Sequence, residues 1–465
     1  MTSRLAVLNI VGLTPSLLGE STPSLVAFAR RSGGIRSIVP DLPAVTCTAQ
    51  ASMLTGTPPR EHGIVGNGWF DRALGEVQFW KQSGKLVERP RVWDVAKARD
   101  PSVTTANLFW WHAMGSGADI TVTPRPIYCA DGRKIPDVWT TPSDWRDTLQ
   151  GELGQFPLFH FWGPAADLRS TDWIARATML TVAKYEPTIT LAYLPHLDYA
   201  LQTLGPNDPS IRRELRAIDE VFKALLDFFD DRGIKVMVVS EYGIAPVTTP
   251  IHPNRILREA GFVALRTEGG RELLDTSVSR AFAVCDHQIA HIYVADPDER
   301  ADVEHVLAGR PGIARVLDAD GKTAAGLDHP RSGDLVAVAA KGHWFAYPWW
   351  LDDSRAPDYA RTVDIHKKPG YDPCELFLDP AIGFPGARAR IAWRLLQRKL
   401  GMRALLDVIP LDASLVRGSH GIVDAAHATR PLMMVDDPDV DDLEVPAHGV
   451  HAFILRQVFG SATSN

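Results

Sequence analysis

Two acidic residues stand where an α/β sheet does its chemistry. The apolar run Thr188 to Leu194 leads into Pro195-His196-Leu197-Asp198, and Ile234 to Ser240 leads into Glu241-Tyr242-Gly243. A carboxylate just past a strand end can take a proton or hold a divalent cation. Further along, Asp364 and His366 alternate within Arg361–His366 and so share one side of an extended segment that runs on to Asp372. Imidazole with carboxylate suits zinc, whereas an oxygen-dominated set suits Mg²⁺, Mn²⁺ or Ca²⁺. His196, Asp286-His287, His291 and Asp328-His329 offer the same donor types. For each of these groups, a hydrogen-bonded or exposed polar residue is the plain alternative. Asn9 reads as a buried, hydrogen-bonded amide, and Cys47 as a small packed residue. Arg417-Gly418-Ser419-His420-Gly421 lacks the G-x-S-x-G order of a nucleophile elbow, and no P-loop or dinucleotide fingerprint occurs.

Carboxylates so placed need a sheet beneath them. Leu5 to Val11, Thr188 to Leu194 and Ile234 to Ser240 are short apolar runs, as strands buried on both faces are. Between the last two, Ile211, Leu215, Ile218, Phe222, Leu225 and Phe229 recur at helical spacing and predict an amphipathic helix from about Ser210 to Asp231. Strand–helix–strand implies a parallel sheet with right-handed crossovers, whose ligands gather beyond the carboxyl ends of the strands. Residues 69–173 hold nine of the thirteen tryptophans and read as an insertion, either a loop-rich packing layer or a cap over a substrate. A second, smaller insertion is expected over 281–340, with His291–Val294 and Asp334–Ala339 as short strands. The acidic stretch Asp436–Glu444 reads as a solvated loop.

The bulk composition sets the outer limits. With 465 residues, 45% of them hydrophobic, the chain can bury a large core as one α/β domain with insertions. A net charge of −7 without a Lys/Arg cluster argues against a dedicated nucleic-acid or anionic-membrane surface, with a local patch as the alternative. Four scattered cysteines without a CxxC pair exclude a disulfide framework and a Cys-type zinc site. No apolar run reaches the ~20 residues of a membrane span. The start, Met1-Thr2-Ser3-Arg4 running straight into an apolar strand, predicts a cytoplasmic protein without a leader.

A further pattern narrows the reading. Pro43-Ala44-Val45-Thr46-Cys47-Thr48-Ala49-Gln50 is followed by Thr55-Gly56 and then by His62-Gly63-Ile64-Val65-Gly66-Asn67. Arg91–Ala96 and Leu108-Phe109-Trp110 come next. In order and spacing this resembles the alkaline phosphatase superfamily and, more narrowly, the type I phosphodiesterase/nucleotide pyrophosphatase family. The resemblance implies a parallel-rich central sheet with helices on both faces and cap insertions. It makes Thr46 the nucleophile and Asn67 the phosphate-binding and oxyanion-stabilising amide. It also implies two zinc ions, because a threonine hydroxyl is a weak nucleophile until its deprotonated form is favoured.

Carried over by position, the family's metal ligands fall on Val11, Thr46, Glu241 and Tyr242 for one ion, and on Asp198, Gln202 and His420 for the other. Valine cannot ligate, a tyrosine would have to lose a proton with an ordinary pKa near ~10, and glutamine offers only an amide oxygen. Thr46, Asp198, Glu241 and His420 therefore remain for one or two divalent ions (Zn²⁺, or Mn²⁺, Mg²⁺, Ca²⁺). His196, Asp364, His366 and Asp372 are the possible replacement ligands. The expected function is hydrolysis of a phosphodiester or nucleotide-like pyrophosphate. A non-catalytic member that binds a phosphorylated metabolite or a partner protein is the alternative, as is a changed reaction on a phosphonate, sulfate ester or phosphomutase substrate.

Overall fold

A computed structural model of the chain describes residues 2–460 apart from 131–132, 384–385, 401, 403, 424–425 and 436–442. The strands of its two main sheets are, in chain order, β1 (Leu5–Ile10), β2 (Arg36–Val39), β3 (Thr105–Leu108), β4 (Ile120–Pro124), β5 (Val138–Thr141), β6 (Ile189–Leu194), β7 (Lys235–Val239), β8 (Ala281–Asp286), β9 (Ile289–Val294), β10 (Ile313–Leu317), β11 (Leu335–Ala339), β12 (Leu432–Val435) and β13 (Glu444–Pro446). Nine of them form the central sheet in the order β13-β2-β12-β7-β1-β6-β3-β4-β5. Its middle is parallel: β1 pairs with both β6 and β7, and β3 joins β6 to β4. β12 and β5 run antiparallel to their neighbours. All residues of β1 and β6 are buried, which is why both read as unbroken apolar runs.

Four helices matter below: α1 (Thr46–Thr55), α2 (His196–Leu204), α3 (Ile211–Asp230) and α4 (Gly386–Lys399). α3 buries Ile211, Leu215, Ile218, Phe222, Leu225 and Phe229, the six residues whose spacing predicts it. These side chains belong to one core cluster with the central strands.

The 69–173 stretch differs from its expected form as an inserted layer. It supplies β3, β4 and β5 to the central sheet, and Trp93, Trp110, Trp145 and Trp173 are buried in the main core. Its tryptophan richness therefore reflects packing of the sheet's far edge, where large rings fill space between helix and strand. Residues 281–340 carry β8–β11, which form a separate antiparallel sheet in the order β8-β9-β11-β10. Of the acidic stretch, residues 436–442 lie outside the described residues, and Glu444 begins β13.

The reading of the charge pattern also needs correction. Arg388, Arg390, Arg394, Arg398, Lys399 and Arg403 fall in and just after α4, and no acidic residue occurs from 380 to 406. The cluster is diluted in the whole-chain balance but is local in the sequence.

Candidate active site

Three neighbouring parallel strands end side by side and carry the polar residues with them. Asn9, near the end of β1, is in register with Tyr193 of β6 and Val239 of β7. Two and three residues beyond Val239 come Glu241 and Tyr242, and α2 follows β6 with Asp198 in its first turn. The chain can pass this point only with a glycine at 243, where a Cβ would sit 1.9 Å from the Thr429 carbonyl oxygen.

Thr46 is the first residue of α1, whose last turn closes on Gly56 at φ +72°. The N-terminal amides of a helix lack intrahelical partners. Here Asn67 supplies one from a distance: its Oδ1 accepts from the Cys47 amide at 3.0 Å. That bond fixes the start of α1, and so fixes Thr46, against the loop that carries Asn67.

From Thr46 a chain of hydrogen bonds runs inward. Thr46 Oγ1 lies 3.0 Å from Tyr242 Oη, and Tyr242 Oη donates to Asp198 Oδ1 at 3.2 Å. Gln202 Nε2 donates to Asp198 Oδ2 at 2.9 Å, and Tyr371 Oη donates to Gln202 Oε1 at 2.8 Å. Asp198 and Gln202 are four residues apart on α2, so they share a face. On the other side of Thr46, the amides of Asn9 and Gln50 both donate to Glu241 Oε1. The Trp111 amide in turn donates to Gln50 Oε1 at 2.7 Å.

Burial sets the protonation states. It pushes the Asp198 carboxyl up to about 7 against the opposing hydrogen bonds from Tyr242 and Gln202. It pushes Glu241 up to about 8, partly offset by Gln50 and Asn9. The Tyr242 phenol is held well above its ordinary value, again by burial first and then by Asp198 and Glu241. Tyr242 is therefore a neutral hydroxyl that can pass a proton on, not a phenolate.

Asn67 is committed on both ends. While its oxygen caps α1, its Nδ2 donates to Asp286 Oδ1 at 3.0 Å and its backbone amide to Asp286 Oδ2 at 2.7 Å. One of its two amide hydrogens remains for a ligand. Burial raises Asp286 to about 6, opposed by the hydrogen bond from the Asn67 amide. Asp286 also takes the hydrogen of His287 Nδ1 at 2.8 Å. Four rings then stack in series, Tyr371 on His287 at 3.6 Å, His287 on His420 at 3.7 Å and His420 on Tyr242 at 3.5 Å. His420 Nδ1 donates to the Ala44 carbonyl at 2.8 Å, which leaves Nε2 3.9 Å from Asp198 Oδ1. Burial lowers both histidines well below their ordinary range, so both are neutral.

The structure thus gathers Thr46, Asn67, Asp198, Glu241 and His420 at one place. The four possible replacement ligands are engaged elsewhere. His196 Nε2 meets Glu214 Oε2 at 2.9 Å, and Asp364 takes Lys134 Nζ at 3.2 Å. His366 Nδ1 donates to the Phe79 carbonyl at 3.2 Å, and Asp372 pairs with Lys368 at 2.7 Å. None of the four shares a hydrogen bond with the gathered residues, because each already has a closer partner. Sequence reasoning missed Gln50 and Tyr371. Gln50 lies four residues after Thr46 on α1, so its place was readable; Tyr371 is brought in only by tertiary packing.

Comparison with known proteins decides the family. A model of the type I phosphodiesterase/nucleotide pyrophosphatase family matches residues 5–372. The chain belongs to that family. An uncharacterized pyrophosphatase/phosphodiesterase of Schizosaccharomyces pombe is 24% identical over 252 residues, 53% of this chain and 46% of that protein. The matched region thus spans about half the length of that relative. Among solved structures, phosphonoacetate hydrolase from Sinorhizobium meliloti 1021, in complex with phosphonoacetate, superposes with a TM-score of 0.64 at 15% identity, covering 98% of this chain and 96% of that one. Murine ectonucleotide pyrophosphatase/phosphodiesterase 5, inactive and in complex with AMP, gives 0.57 at 13% identity, covering 98% and 94%. At these identities the superpositions speak for the fold.

The family's two-zinc arrangement can be tested against the donors present. Val11 offers no donor, and Glu241 Oε1 already receives two amide N–H groups, which leaves only Oε2 of that carboxyl without a partner. Gln202 turns its N–H toward Asp198 and gives its oxygen to Tyr371. No group of three or more His, Cys, Asp or Glu side chains is arranged for a metal among the described residues. Val11, Gln202 and Tyr242 do not fit a two-metal clamp, while Glu241 Oε2, Asn9 Oδ1 and His287 Nε2 are buried beside them with no hydrogen-bond partner.

Proposed function

We propose that this chain is a hydrolase that cleaves at a phosphorus centre, acting on a phosphodiester or nucleotide-like pyrophosphate, with Thr46 as nucleophile. The observation that carries the reading is the bonded series Thr46–Tyr242–Asp198 at the first turn of α1. The Thr46 hydroxyl proton passes to Tyr242 Oη as that phenol gives its own proton to Asp198. An Asp198 carboxyl near 7 can take and return a proton at neutral pH. Thr46 Oγ1 bonds to phosphorus while the bond to the leaving oxygen breaks; water then releases the phosphoryl group and restores Thr46. The free Asn67 amide hydrogen and the start of α1 face the charge that grows on the phosphoryl oxygens.

A second reading has one observation in its favour. His420 Nε2 and Asp198 Oδ1, 3.9 Å apart, are the pair between which a single divalent ion would fit. Turnover of nitrophenyl phosphodiesters, dinucleotide pyrophosphates and phosphonoacetate by the purified protein tests both readings. Thr46→Ala should lose activity by ~10³-fold or more with the fold intact. Activity that survives exhaustive chelation supports the residue-only relay, and activity lost to chelation and restored by one equivalent of metal supports the single ion. Full activity of Thr46→Ala overturns the nucleophile. Tight binding of a phosphorylated ligand without turnover favours the non-catalytic alternative.

A further inference from the structure

Helix α4 is amphipathic the wrong way round for a core helix. Ile391 packs against a small core cluster, as do Val363, Phe377, Ile382 and Leu406, and Arg390 and Arg394 bond to Asp407. Ala389, Trp393, Leu396 and Leu400 repeat at four-, three- and four-residue intervals and form a stripe on the opposite side. That stripe faces outward: Trp393 is 57% exposed, Leu396 45% and Leu400 65%. Single exposed apolar residues need no explanation, but a contiguous tryptophan–leucine stripe does.

The flanks of the stripe carry positive charge. At helical spacing Arg388 and Lys399 lie on one side of it and Arg390 on the other. Asp407 offsets part of this, accepting from Arg390 and Arg394. From 380 to 406 there are six cations and no acid, within a chain of net charge −7. A second copy of this chain would bring these like charges together, so self-association along the stripe is opposed. The arrangement instead matches a helix lying in the plane of a membrane surface, with Trp and Leu in the acyl boundary and basic side chains among anionic headgroups. A 14-residue helix is ~21 Å long, too short to span but enough for such a contact.

We infer that α4 docks this protein on an anionic lipid surface. This inference stands apart from the proposed chemistry at Thr46. The test is flotation of the full chain with vesicles of phosphatidylcholine alone and with added phosphatidylglycerol, at low and high salt. The protein should float with the anionic vesicles at low salt and be released at high salt. The Trp393→Ser/Leu396→Ser/Leu400→Ser variant should lose at least ~10-fold in partition, and Lys399→Gln about 5-fold. All of these side chains are exposed, so the melting temperature should hold; if the triple variant unfolds, Lys399→Gln carries the test. Equal binding to neutral and anionic vesicles overturns the inference, as does undiminished binding by the triple variant. Absence of flotation, with a stable dimer or an acidic protein bound at α4 instead, overturns it too.

Discussion

The strand-end site and helix α4 depart from the usual partition of residues in opposite directions. At the strand ends, Asp198, Glu241, Asp286, Gln50 and Gln202 are polar and buried. On α4, Trp393, Leu396 and Leu400 are apolar and exposed. The buried groups are held by direct bonds from Tyr242, Asn9, Gln50 and Asn67, so each depends on its neighbours. The stripe on α4 is about half exposed, and its leucines need no such bonds. The first kind of departure is coupled to folding; the second is free to serve an outside surface at little cost to stability.

That contrast can be broken by substitution. The largest effect is expected from Tyr242→Phe, which keeps the ring stacked on His420 but removes the hydroxyl between Thr46 and Asp198. Turnover should fall by ~10²–10⁴-fold with an unchanged circular dichroism spectrum; unchanged turnover would discard the relay. Glu241→Ala should strand the amides of Asn9 and Gln50 and destabilise by about 1–3 kcal/mol for each, measured by urea unfolding.

The pH profile sharpens the same point. Glu241 sits at about 8 and Asp198 at about 7 in the folded protein, above the ~4 of an unfolded carboxyl. The folded state therefore keeps protons that the unfolded state has already released. Their contribution to stability is full below the unfolded value of ~4 and is lost progressively as pH rises from there until it passes 7 for Asp198 and 8 for Glu241. Urea midpoints should fall over that range, and Glu241→Gln should flatten the fall; a midpoint that rises instead refutes the assigned burial. The smallest effect belongs to α4, where Leu396→Ala should change stability by no more than ~0.5 kcal/mol. A larger loss would mean that the stripe is packed after all.

Much of this was legible in the sequence. The spacing from Thr46 to Asn67 and the carboxylates after β6 and β7 pointed to one site, because sheet ligands collect at the ends of parallel strands. The α3 periodicity gave its buried face residue by residue. For the tryptophan-rich stretch composition left a packing layer and a cap open, and it does not reveal strands at a sheet edge. For the candidates Asp364 and Asp372 donor type is visible in sequence, but their pairing with Lys134 and Lys368 is not.

By itself the sequence determined the central sheet and that Val11, Gln202 and Tyr242 stand where the resemblance led one to expect metal ligands. Only the tertiary structure decided what took their place. Asn9, Gln50 and Tyr371 come from three distant parts of the chain, and a hydrogen bond acts over about 3 Å whatever the sequence separation. The same holds for α4: its period marks an apolar stripe, but only packing through Ile391 turns that stripe outward.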